Sequence, residues 1–68
     1  MELVIGNKKT NLMVEPDATY PQMWRIRYKG EVSDMVNLAR AKDAAISWYL
    51  KGQHRDGGLS SSEIVRWK

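Results

Sequence analysis

Residues 23–28, MWRIRY, alternate apolar side chains with cations, and this period of two constrains the fold more than any other stretch. In an extended strand Trp24, Ile26 and Tyr28 share one face, and Met23, Arg25 and Arg27 share the other. A strand divided in this way needs an apolar layer over one side and water on the other. Lys29-Gly30 follows as a turn, because glycine accepts the positive φ of a tight hairpin. Residues 31–36 then return antiparallel. A two-residue turn sets Arg25 opposite Asp34, as a cross-strand ion pair, and Trp24 opposite Met35. The same register puts Val32 and Met35 on opposite faces, so a bulge or a longer loop is expected between them.

The missing cover comes next in the chain. Asn37 is a good N-cap, and LARAKDAAISWYLK over 38–51 has helical periodicity. Leu38, Ala41, Ala45, Trp48 and Tyr49 gather on one face, with Ile46 and Leu50 on its flank and Arg40, Ser47 and Lys51 pointing away. The alanines let the helix lie close on a sheet, and Trp48 fills the remaining space. Gly52 is the natural stop. Upstream, LVI and LMV read as two strands around the turn-rich GNKKTN, and EPDATYPQ reads as a loop. Downstream, QHRDGGL is a loop. SSSEIVRWK carries Ser60 and Glu63 at capping-box spacing, which predicts a turn or two of helix bearing Ile64 and Trp67. The expected class is α+β. Residues 1–52 form a three- or four-stranded antiparallel meander with one helix packed on one face, and residues 53–68 form a loop and a loosely attached short C-terminal helical tail.

A chain of 68 residues makes one domain, and at this size folding hides only about 60% of the unfolded surface. Small domains usually need a further staple. Without cysteine there is no disulfide, and a zinc site would have to rest on His54, the one histidine, and carboxylates, so a structural metal is not expected. No cofactor is expected. Self-association becomes the available staple, and three tryptophans and three tyrosines suit it. MELVIGN lacks the basic start and apolar run of a secretory signal, and no stretch approaches the length of a membrane span. The expectation is a cytoplasmic protein with no membrane partner.

The net charge of +3 is unevenly placed. Residues 1–22 sum to −1, residues 23–55 to +4, and the remainder balance. Within the basic middle, Arg25, Arg27 and Lys29 form a row along one side of a strand. Such a row on an open sheet face can enter a DNA groove and meet phosphates or guanine edges, with Lys8, Lys9 and Arg40 as flanking phosphate contacts. It also serves as an ordinary solvated face, and composition does not separate the two.

Catalysis has little to stand on. No serine has an evident base, and neither paired carboxylates nor a phosphate-cradling glycine loop is present. The expectation is a non-enzyme without a small-molecule substrate. Trp48 and Tyr49 suit a ligand platform, though core packing explains them first. His54 beside Arg55 reads as solvated, and the serine run as caps. Trp67 and Ile64 suit a partner or a second copy of the chain, and Trp67 equally suits docking onto its own domain.

Residues 23–50, MWRIRYKGEVSDMVNLARAKDAAISWYL, resemble the second half of the plant ethylene-response-factor type of DNA-binding domain. They are also similar to the sheet-plus-helix arm-binding modules of phage-type tyrosine integrases. The shared elements are a strand with Trp24-x-Ile26, a turn and third strand, and a helix carrying KDAAISWY. The resemblance implies a sheet face that reads DNA through Arg25 and Arg27, braced by a helix through Ala44, Ala45 and Trp48. The third strand lacks the family's Trp-Leu-Gly segment, and Lys42 stands where an acid is typical. SDMVNLARAKDAA is similar to short uncharacterised proteins of proteobacteria and their prophages. Together these readings predict an accessory nucleic-acid-binding module contacting DNA through Arg25, Arg27, Lys29, Lys8, Lys9 and Arg40. The alternative is a protein-interaction or homo-oligomeric domain using Trp67 and Ile64.

Overall fold

The computed structural model describes residues 1–68, which run β1 (Glu2–Ile5), β2 (Lys8–Pro16), β3 (Trp24–Tyr28), β4 (Glu31–Val32), α1 (Leu38–Gly52) and β5 (Val65–Trp67). The strands make one antiparallel sheet in the order β4-β3-β2-β1-β5, and α1 packs over β2 and β3. The class is α+β, with five strands rather than three or four.

The additional strand replaces the expected helical tail. Val65–Trp67 pair with β1, setting Leu3 opposite Trp67 and Ile5 opposite Val65. Glu2 and Lys68 extend the ladder with backbone bonds of 2.6 and 3.0 Å. The capping box forms only in part: the Glu63 carboxylate accepts from the Ser60 N–H at 2.9 Å, within a turn that does not propagate. A helix this short is unstable alone in water. Ile64 and Val65 are β-branched, and β1 offers an open ladder, so pairing wins. The C-terminal segment is therefore not loosely attached. Val65 and Trp67 pack against the core.

The β1–β2 turn is also tighter than GNKKTN implies. Gly6-Asn7 alone make it, with Ile5 opposite Lys8 and Gly6 at φ +61°. The remaining residues belong to β2, which bulges where the register shifts between Glu2 and Val4 and Asn11 takes φ +63°. Thr10 is buried at this irregularity. Its hydroxyl donates to the Leu3 carbonyl at 2.6 Å and accepts from the Leu12 N–H at 3.1 Å.

The β3–β4 turn is the expected two-residue one, with Lys29 at φ +50° and Gly30 at φ +80°, the type I′ signature. Arg27 lies opposite Val32 and Tyr28 opposite Glu31. The ladder then slips, because Ser33 bonds Ile26 while Trp24 pairs with Val36. Asp34 and Met35 both stand against Arg25, which is the anticipated bulge. Two register expectations fail with it: Trp24 meets Val36 instead of Met35, and Arg25 pairs with Asp17 instead of Asp34.

The core joins Leu3, Ile5, Leu12, Val14, Ile26 and Tyr28 of the sheet to Ala41, Ala45 and Tyr49 of α1. Leu38 and Trp48 flank it, half-buried. Asn37 caps α1 as expected, its Oδ1 accepting from the Arg40 N–H at 2.9 Å. At the other end the left-handed residue is His54 (φ +55°), not Gly52, and Arg55 N–H returns to the Leu50 carbonyl at 3.0 Å. No helix is long and apolar enough to cross a membrane.

Candidate nucleic-acid interface

Arg25 and Arg27 do leave the sheet on the face away from α1. Val32, Arg27, Met13 and Glu2 are successive cross-strand partners there, spanning β4 to β1. Neither guanidinium is free of acid. Arg27 Nε donates to Glu15 Oε1 at 3.0 Å. Arg25 Nε donates to Asp17 Oδ1 at 2.8 Å, and its Nη1 reaches the Ser33 carbonyl at 3.0 Å. Asp17 also accepts from the N–H groups of Thr19 and Tyr20, and its side chain is only 11% exposed. Arg25 first, and then these N–H groups, hold the Asp17 carboxyl below the usual carboxylate range.

Lys29 is not part of that row. Its position in the turn, with positive φ, carries the side chain to the helix side. Nζ donates to the Gly52 carbonyl at 2.8 Å and lies 5.5 Å from the Tyr28 ring centroid. The last carbonyls of a helix lack intrahelical donors and carry partial negative charge, and a lysine satisfies both conditions.

Basic residues gather around this C-terminal end of α1. Lys8 stands on the helix side of the sheet through its pairing with core Ile5, and Lys9, paired with Val4, is turned to the other face. Lys8 and Lys9 line a cleft of about 450 Å³ with Tyr28, Lys29, Tyr49 and Gln53. Tyr28 and Lys29 also line a second cleft of about 310 Å³, with Glu31, Trp48, Lys51 and Gly52. Lys51 in turn borders a third, of about 490 Å³, shared with His54 and Arg55. The shared residues join the three into one belt. Ion pairs form at Arg25–Asp17, Arg27–Glu15 and Arg55–Glu63, which leaves Lys8, Lys9 and Lys51 without an acid partner. Arg55 grips Glu63 through two bonds of 2.8 Å and fastens the loop after α1. Arg55 and then the Ser60 N–H pull the Glu63 carboxyl down to about 2.

Of the residues named from sequence, the fold thus brings Lys8, Lys9 and Lys29 together and sets Arg25 and Arg27 on the sheet face. Arg40 is exposed in the first turn of α1, a rise of roughly 16 Å from Lys51. Lys51 and Trp48 were outside the predicted nucleic-acid set. Their spacing of three on a helix, which makes them surface neighbours, is the signal that joins them. Trp67 docks on its own domain, half-buried, with Lys42 Nζ 5.7 Å from its ring, while Ile64 is 58% exposed.

No family model, curated protein or solved structure matches the chain.

Proposed function

We propose that the domain is a small non-enzymatic nucleic-acid-binding module whose principal contact surface is the lysine belt at the C-terminal end of α1. The observation that carries this reading is the convergence of Lys8, Lys29 and Lys51 from three separate parts of the chain onto joined clefts, with Lys9 bordering them from the other face of its strand. Helix capping alone does not account for them. The end of a helix presents roughly half a negative charge. Against it stand Lys8, Lys29 and Lys51, with Glu31 and Asp56 as the acids of the linings and Arg55 cancelled by Glu63, an excess of one positive charge before Lys9 is added from the other face. An excess held without acid partners favours a polyanion. Arg25 and Arg27, with their acids attached, take a secondary part. Fluorescence anisotropy with a labelled oligonucleotide at two salt concentrations tests the reading. Affinity should fall steeply with salt and with joint replacement of Lys8, Lys9 and Lys51 by alanine. Binding that ignores salt, or that survives the triple replacement intact, rejects it.

One observation favours a second reading, a protein-interaction domain. Ile64 is 58% exposed beside β5, whose outer edge has no neighbouring strand, and open edges recruit further strands. Trp67, packed on the core, would then support the edge. Light scattering on wild type and Ile64→Lys decides: a monomer in both removes self-association.

A further inference from the structure

We infer that the nucleic acid this module takes is single-stranded, and that one of its bases stacks on Trp48 in the cleft between Tyr28 and the end of α1. This inference rests on the function proposed above and names its ligand class. Trp48 packs against the core but is only half-buried, and it also lines the 310 Å³ cleft. Burial in the core therefore accounts for only part of its surface. An indole edged by ammonium groups is the pairing that single-strand binders use, with aromatic rings for the bases and cations for the backbone. Lys51 and Lys29 border the same cleft. After its bond to the Gly52 carbonyl, the Lys29 ammonium keeps two N–H groups for a phosphate.

Cleft size and charge then choose among nucleic acids. A volume of about 310 Å³ lies at the small end of ligand sites. It admits a planar base and excludes a duplex. A paired base reaches such a cleft only by flipping out of its stack, at an unstacking cost that an unpaired strand does not meet. Glu31, the one acid in the lining, repels phosphate and accepts a hydrogen bond from a base N–H. Base inside and backbone along the lysines is the arrangement these charges permit. The cleft wall is firm as well, since the Tyr28 ring lies against the Gly52 backbone with no space for a Cβ between them.

The test uses a Trp24→Phe/Trp67→Phe variant, in which Trp48 is the sole indole. It is titrated at low salt with a short single strand, an abasic deoxyribose-phosphate strand of the same length, and a duplex of that length. The single strand should quench Trp48 emission and bind roughly 5- to 150-fold more tightly than the abasic strand, and more tightly than the duplex. Trp48→Leu should reduce the single strand to the abasic level. Should the double variant fail to fold, the Trp48 indole N–H resonance in the wild-type chain reports the same contact. Equal affinity for base-bearing and abasic strands, with Trp48 unmoved, overturns the stacking inference and leaves the polyanion reading standing. A preference for duplex overturns the single-strand inference. Failure of every strand to bind overturns both.

Discussion

Gly52 lies so close to Tyr28 that a Cβ on it would come within 2.7 Å of the ring's Cε2. The glycine is required by this contact. It does not stop the helix by its own conformation, because the left-handed residue is His54, two positions later. The Tyr28 ring is buried in the core, so making room for a Cβ disturbs the packing around it. Gly52→Ala should therefore destabilise the fold. Overpacking costs about 1–3 kcal/mol, and the better helix propensity of alanine returns at most about 1 kcal/mol. Urea denaturation should show a net loss, and a midpoint at or above wild type would refute the contact as the reason for glycine.

His54 carries the opposite expectation. An exposed, non-glycine residue at φ +55° holds a conformation that glycine adopts without strain. His54→Gly should stabilise by about 1 kcal/mol, a rise of roughly 4–8 °C in the melting temperature for a domain of this size. His54→Val should lower it. An unchanged melting temperature in both variants would show that this turn is not held as described.

These two residues show where the sequence is readable and where it stops. The helix was legible because its signals are local: Asn37 supplies a cap, and apolar residues recur with helical spacing. Alternation likewise revealed β3 and the outward turn of Arg25 and Arg27. The fifth strand was not legible. Ser60 and Glu63 advertise a helix start, and nothing nearby announces the open edge of β1 that captures Val65–Trp67. The acid partners escaped for a related reason. Arg25 stands opposite Glu15 of β2 and bonds Asp17 just past that strand's end, a β2–β3 register that no local signal announces. The belt was visible only in part. Lys8, Lys9 and Lys29 could be named as basic residues, but their meeting with Lys51 and Trp48 is made by the topology alone.

Thr10 satisfies two backbone groups at once inside the first hairpin. Thr10→Val keeps the shape and deletes the hydroxyl, which leaves the Leu12 N–H and the Leu3 carbonyl without that partner in a buried setting. The expected loss is about 1–3 kcal/mol, read as a lower urea midpoint with an unchanged m-value. Faster amide exchange at Leu12 should accompany it. A variant as stable as wild type would mean that the bulge is satisfied by other means.

Acid should weaken the loop that follows α1. Glu63 titrates at about 2 in the folded chain against an ordinary 4.5. Between these values the unfolded state binds the extra proton. The contribution is therefore fully present above pH ~4.5 and lost as pH falls towards 2. Asp17, held low mainly by Arg25, acts in the same direction. Glu63→Gln should lower stability at neutral pH and flatten the acid limb of the stability curve, so that variant and wild type converge near the acid extreme. Urea midpoints measured between pH 7 and pH 3 check this. Parallel curves would show that the Arg55–Glu63 pair does not govern that limb.

The arginine face and the lysine belt make separable predictions about salt. Each phosphate neutralised on a single strand contributes about 0.7 to the slope of log affinity against log salt concentration. Lys8, Lys9 and Lys51 carry no acid partner, so their full charge is available to release counterions. Replacing all three with alanine should shallow the slope by about 2. Arg25 and Arg27 must first part from Asp17 and Glu15, and an exchange of one anion for another releases little. Arg25→Ala with Arg27→Ala should leave the slope within about 0.5 of wild type. The reverse pattern, a slope that collapses with the arginines and ignores the lysines, would return the contact to the open face of the sheet.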